Sequence, residues 1–177
     1  MRRLTAVLSA LSAFPVLSAL SVAAQAPEDS APAAPRRATT NCVVSRLSDG
    51  DTLRCQSGAR VRLIGIDAPE REQTPYSDMS LAGIQSLVAV GDTIQLEPDV
   101  DPRDQYDRIL AYAWRGGRMV NWHMVREGWA IPITVSPNVQ YVDYFRRARD
   151  AARKEGMGLW KVDGFRCEPA SFRARRC

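Results

Sequence analysis

Residues 60–67 read RVRLIGID and run into Ala68, Pro69 and Glu70. This is an extended, largely apolar segment that ends in acid. A strand of this kind needs neighbours on both edges and a partner for its charge. The neighbours lie just upstream. CVVSRLS (42–48) and DTLRC (51–55) flank Asp49-Gly50, a dipeptide that favours a hairpin turn. Arg62, inside the segment, is the nearest counter-charge. In a strict pleat Arg62 and Asp67 point to opposite faces. Either a bulge at Gly65 brings them together, or the chain leaves the pleat before Pro69. A plain strand-end salt bridge explains this segment as well as a functional site does.

The rest of the chain supplies two more strands and three helices. SLAGIQSLVAVG (80–91) has a helical apolar stripe and a terminal glycine. DTIQLEP (92–98) and RILAYAW (108–114) read as strands. NWHMVREGWA (121–130) reads as a helix opened by an Asn cap. YVDYFRRARDAARKEG (141–156) reads as a helix with Tyr141, Phe145, Ala148 and Ala152 on one stripe. The fold class expected is α+β, mainly β: a five-stranded barrel of the oligonucleotide-binding type with about three packed helices. Closure removes the open strand edges. Trp114, Trp122, Trp129 and Trp160 are expected to be structural, as is His123, the sole histidine.

The ends differ from the body. Residues 1–24 have a short basic start, an uncharged apolar run and small residues near Ala24, which marks a secretory signal cleaved there. An uncleaved membrane anchor is the alternative. Residues 25–40 have the composition of a disordered tether. The domain is expected over 41–160 and a basic tail over 161–177. Residues 41–144 carry 10 Lys/Arg against 14 Asp/Glu, whereas 145–177 carry 10 against 4. The C-terminal part therefore suits contact with a polyanion, or is simply solvated. Cys42, Cys55, Cys167 and Cys177 form no C-x-x-C pair, which argues against zinc. Of their three possible pairings the local one, 42 with 55 and 167 with 177, is expected in an exported protein.

The chemistry lies where three segments meet. Asp51 follows the hairpin turn and starts a strand beside the third, so Asp51, Asp67 and Glu70 can converge. Three acids at one spot call for a hard cation, calcium or magnesium. Arg108 begins the fifth strand. With Arg62 it forms a pair of planar forks suited to phosphate.

The segments DGDT, VRLIGIDAPE, DQYDRILAY, MVNWHMVREGWA and GLW together resemble the staphylococcal-nuclease-like family, or thermonucleases, over about residues 41–160. The resemblance implies one calcium ion, held by Asp51, Asp67 and the backbone carbonyl of Ala68. It implies Glu70 as the base for water, and Arg62 and Arg108 as phosphate-binding catalytic residues. The implied reaction is hydrolysis of DNA or RNA phosphodiesters to 3′-phosphate ends by a monomer in the periplasm or outside the cell. Two departures stand out. Asp107 replaces a glycine, and its charge can weaken phosphate affinity although aspartate tolerates a left-handed backbone. Ile133 and Val135 stand where the best-known member has base-stacking tyrosines, so Tyr106 and Tyr141 are the candidates for substrate contact. The alternative is a barrel module, catalytically weak or inactive, that binds nucleic acid or an acidic envelope polymer.

Overall fold

The structure is a computed structural model that describes residues 30–177. The signal expected over 1–24 lies outside the described residues, as does the expected tether up to residue 29. Five strands close the barrel: β1 (Thr40–Leu47), β2 (Thr52–Cys55), β3 (Arg60–Leu63), β5 (Thr93–Glu97) and β6 (Ile109–Arg115). All neighbours in the order β3-β2-β1-β5-β6 run antiparallel, and a parallel β3–β6 pairing completes the ring. Two short strands, β4 (Ile66–Asp67) and β8 (Ile131–Pro132), pair with each other. β7 (Arg118–Met119) extends β6. The helices are α1 (Tyr76–Leu87), α2 (Val120–Arg126), α3 (Val142–Glu155) and a short α4 (Pro169–Arg173), with a 3-10 turn at Gly158–Val162. The barrel expected from the sequence is present. Among the described residues no helix is long and apolar enough to cross a membrane.

Three differences from the sequence reading matter for the site. First, the third strand does not run through to Asp67. It stops at Leu63, turns at Ile64-Gly65, and restarts as β4. Gly65 has φ +78°. A Cβ there would lie 2.4 Å from Phe145 Cε2 on α3. Glycine is needed both for the backbone angle and for the space.

Second, Asn121 is no helix cap. It lies fully buried within α2. Its Oδ1 accepts the Ala113 N–H at 2.8 Å, and its Nδ2 donates to the Ile64 carbonyl at 2.9 Å. The cap reading failed because Val120 already belongs to the helix, so the amide points inward and ties β6 to the turn.

Third, part of the expected tether is seated. The backbone N–H groups of Arg36 and Arg37 donate to Glu97 Oε1 at 2.8 and 3.0 Å. The Arg37 guanidinium pairs with Asp99 at 3.2 Å. A Pro/Ala-rich composition does not reveal such anchors, because backbone amides supply them.

Both expected disulfides are formed, Cys42–Cys55 and Cys167–Cys177. The first cross-links the hairpin whose turn carries Asp51. The second closes the tail over α4. Trp114 and Trp122 are buried, and Trp129 and Trp160 are partly buried. His123 packs edge-on against Trp122, with Glu127 at 3.2 Å.

Gly65→Ala is expected to cost about 2–4 kcal/mol, the sum of a left-handed backbone penalty and overpacking against Phe145. Urea denaturation of the two proteins measures it, and an unchanged midpoint would contradict the role given to this turn.

Candidate active site

The site is a cleft of about 660 Å³ between the β1–β2 turn, β3, the 67–72 loop and the tail. Asp51 enters from the turn. Its backbone carbonyl accepts the Leu63 N–H at 2.8 Å, so β3 fixes its position. Its Oδ2 accepts the Ala68 N–H at 2.8 Å and pairs with Arg62 Nη1 at 3.0 Å. The turn at Gly65 then returns the chain so that Asp67 meets the same arginine, Nη2 to Oδ1, at 3.2 Å. Arg62 therefore bridges the two acids, and its Nη1 also donates to the Leu63 carbonyl at 2.8 Å. Arg62 is the strand-end salt bridge, and it also lines the cleft with Asp51, Glu70 and Arg108.

Burial decides the electrostatics. Asp51 is almost wholly enclosed. Desolvation pushes its carboxyl up to about 7. Arg62 and the Ala68 amide pull it down, while Asp49 and Asp67 push it further up. The burial penalty exceeds what Arg62 returns. Such a carboxylate is short of positive charge.

Glu70 sits at the cleft edge. Its N–H donates to Gln73 Oε1 at 2.9 Å, and Gln73 N–H returns a bond to the Glu70 carbonyl at 2.8 Å. Arg108 is set by Asp104, which accepts its Nε at 2.7 Å and its backbone N–H at 3.0 Å. Its guanidinium lies 5.7 Å from the Tyr106 ring centroid. Tyr106 is 61% exposed, open to contact from solvent. Asp107 adopts φ +60°, and its carboxylate pairs with Arg103 at 2.7 Å. The charge that departs from the family pattern is thus engaged away from Arg108.

Tyr141 does not belong to this site. It is fully buried, its hydroxyl lies 3.1 Å from both Glu97 oxygens, and its ring packs edge-on to Tyr112 at 4.7 Å. Burial pushes its hydroxyl up to about 12. The physical reason was already in the helical stripe: one turn before Phe145, Tyr141 faces the core. Ile133 and Val135 border a separate, more apolar recess of about 210 Å³ beside Arg62 and Arg108.

Sequence reading missed Arg173. Its Nη1 and Nη2 bond Asp67 at 3.0 and 2.8 Å, and its Nη1 bonds Glu70 at 2.5 Å. Bonding to Asp67 raises its already high basicity. The signal was present in part. A disulfide-closed tail with three arginines between its cysteines must place them somewhere, but no register linked the tail to residues 67–70.

The donor set suits a hard cation. Asp51 and Asp67 offer carboxylate oxygens on adjacent elements; Arg62 pairs with both, Arg173 pairs with Asp67, and Asp51 stays short of positive charge. Among the described residues no three acid, histidine or cysteine side chains form a complete metal cage. The three-acid cluster read from the sequence is therefore looser than expected, with Arg173 between Asp67 and Glu70. Ions such as magnesium and calcium do bind through two carboxylates when carbonyls, water and phosphate complete the shell.

A closed five-stranded barrel with acids and arginines lining one cleft defines a protein built to meet phosphate. The sequence model of the family described as staphylococcal nuclease homologue matches residues 60–162, and the chain belongs to that family. Similar proteins include a thermonuclease of Staphylococcus intermedius, 33% identical over 126 residues, covering 67% of this chain and 75% of that one. Endonuclease YncB of Bacillus subtilis (strain 168) is 31% identical over 135 residues, 71% of this chain and 64% of its own length. An uncharacterized endonuclease of Haemophilus influenzae is 30% identical over 143 residues, 77% of this chain and 75% of that one.

The Asp51 carboxyl sets a pH dependence. Its folded-state value lies above the ordinary 3.8, so folding favours the protonated form. Stability in chelator should fall as pH rises from about 4 to about 7, and the whole penalty should be present above that window. Asp51→Asn removes the charge but keeps the shape. It is expected to raise the melting temperature by roughly several degrees at pH 8 and to change it little near pH 4. Calorimetric scans at both pH values test this, and a lower melting temperature at pH 8 would contradict it.

Proposed function

We propose that this chain is an exported, calcium-dependent nuclease that hydrolyses phosphodiesters of DNA or RNA and leaves 3′-phosphate ends. Membership of the staphylococcal nuclease homologue family makes it a nuclease, a phosphodiester hydrolase whose substrate is nucleic acid. One observation carries the assignment of the site. Asp51, Arg62, Asp67, Glu70 and Arg108 all line the same cleft.

In this reading Asp51, Asp67 and the Ala68 carbonyl hold the ion. Bound there, calcium would supply fixed positive charge to a phosphate oxygen. Glu70 takes a proton from water as its oxygen attacks phosphorus. The bond from phosphorus to the 5′ oxygen breaks, and that oxygen leaves with a proton from solvent. Arg62 and Arg108 grip the phosphate oxygens, and their grip strengthens as negative charge grows on them. Asp104 holds the inner nitrogen of Arg108, which keeps the fork aimed rather than free to wander. The Tyr106 ring lies beside the Arg108 guanidinium and offers a face to a base. The apolar recess beside Ile133 and Val135 takes no aromatic stack, so base preference is weak. The apolar N-terminus and the two disulfides support export, with cleavage near Ala24 and function as a monomer in the periplasm or medium.

Two variants separate turnover from binding. Arg108→Ala should lower hydrolysis of a labelled oligonucleotide by roughly a hundredfold or more, the effect of losing one donor at a site of developing charge. Glu70→Gln should lower turnover as strongly while leaving affinity for a substrate analogue nearly intact. Chelator should abolish hydrolysis, and added calcium should restore it. Equal rates in wild type and both variants would overturn the assignment, and full activity in chelator would overturn the metal.

Val135→Tyr is expected to tighten binding of a single-stranded oligonucleotide, since stacking one base contributes roughly 1–3 kcal/mol. Fluorescence anisotropy measures the change, and an unchanged affinity would show that the recess does not meet a base.

A further inference from the structure

The tail reaches the site by a built route. Cys167 and Cys177 close a ring, and α4 with Arg173 lies inside it. Gln73, itself buried, joins that ring to the acid-bearing loop: its Nε2 donates to the Cys167 carbonyl at 2.9 Å while its Oε1 holds the Glu70 N–H. One amide thus fixes both partners of the Arg173–Glu70 pair. A satellite cluster of Ile131, Leu159 and Phe165 packs where the chain enters the tail, and Ile131 pairs with Asp67 across β4 and β8. The placement of Arg173 therefore rests on several independent contacts besides its own ion pairs.

The pairing is with the groups that the proposed function uses. The Asp67 side chain is 2% exposed, and Arg173 covers both of its oxygens. The same guanidinium takes Glu70. A divalent ion needs lone pairs of Asp67, and the Arg173 fork already takes one on each oxygen. Two cations within one carboxylate's width also repel each other.

We propose that Arg173 is an internal cation on Asp67, one of the two metal carboxylates, which a divalent ion must displace to bind. The tail then sets metal affinity. The ring keeps the guanidinium at high local concentration beside Asp67, so the ion competes against a tethered rival rather than against water. Displacement also frees the Glu70 oxygen that Arg173 holds. Metal arrival and release of the base are in this way one event. The inference rests on the metal reading given under Proposed function.

The test is calorimetric titration of calcium into the oxidised mature protein without substrate. Arg173→Ala should bind calcium about tenfold more tightly than wild type, the size of an ordinary coupling between two ligands. Cys167→Ser with Cys177→Ser should give a smaller gain, since Arg173 remains but is no longer held. Asp67→Asn should abolish binding. Circular dichroism checks that each variant is folded. If Asp67→Asn abolishes binding but Arg173→Ala binds as wild type or more weakly, this inference fails and the metal site stands. If Asp67→Asn leaves calcium binding unchanged, or no protein binds calcium, the metal reading fails and this inference with it.

Discussion

The turn at Ile64-Gly65 is the constraint on which the site depends. Had β3 stayed pleated as far as Asp67, that acid and Arg62 would have faced opposite sides of the sheet. The left-handed glycine reverses this, and three elements hold the reversal. Asn121 of α2 takes the Ile64 carbonyl, Ile133 N–H donates to the Gly65 carbonyl at 3.1 Å, and Phe145 of α3 lies against Gly65. The helices outside the barrel thus act on the cleft through a two-residue turn. Their packing is part of the chemistry although none of their side chains in this group reaches the acids.

The two ends of the barrel solve one problem in opposite ways. Glu97 is fully buried, yet the backbone amides of Arg36 and Arg37, the side chains of Trp114 and Gln140, and the Tyr141 hydroxyl all bond it. Nearly every lone pair is answered by a neutral dipole or hydroxyl. Such a network rigidifies a core and leaves nothing to bind. Asp51 receives one backbone amide, the Thr52 hydroxyl and one arginine, beside two other aspartates. Its desolvation is only partly answered, which leaves room for a further cation. The proposed site lies at the under-compensated acid, and the saturated one is part of the core.

How much of this was legible follows from what a sequence encodes locally. The hairpin around Asp49-Gly50, the five barrel strands and the helical stripe of α3 are matters of period and turn chemistry and are legible in the sequence, although the third strand ends at Leu63 and not at Asp67. Arg62, Asp67 and Glu70 are close in sequence, so their convergence needed only the right guess at Gly65. Tyr141 was misplaced although its stripe was recognised, because a family expectation was set above a packing pattern. Asn121 was misread because a cap and a buried bridging amide share one residue type. Arg173 was not legible at all. It stands 106 residues from Asp67, and its position follows from a disulfide ring and a buried glutamine that only the folded chain brings together.

Those long-range ties also explain why so small a domain carries covalent cross-links where it does. Cys42–Cys55 spans the hairpin that presents Asp51, and Cys167–Cys177 spans the ring that presents Arg173. Each closes a short loop, 13 and 10 residues in sequence separation, and chain entropy puts the contribution of each at about 3 kcal/mol, less than a long loop would give. What a short ring does well is hold one side chain near one place. The two regions are tied through the 67–73 loop: Arg62 grips Asp51 and Asp67, the Ala68 N–H donates to Asp51, Gln73 joins the Glu70 loop to the ring, and Arg173 pairs with Asp67 and Glu70. The acids are therefore clamped from a rigid barrel on one side and from a tethered cation on the other. In such an arrangement Arg173 is the half-exposed partner of Asp67, whereas Asp51, Arg62 and Asp67 are held by backbone pairing or burial, so withdrawal of Arg173 is the least costly way to uncover Asp67.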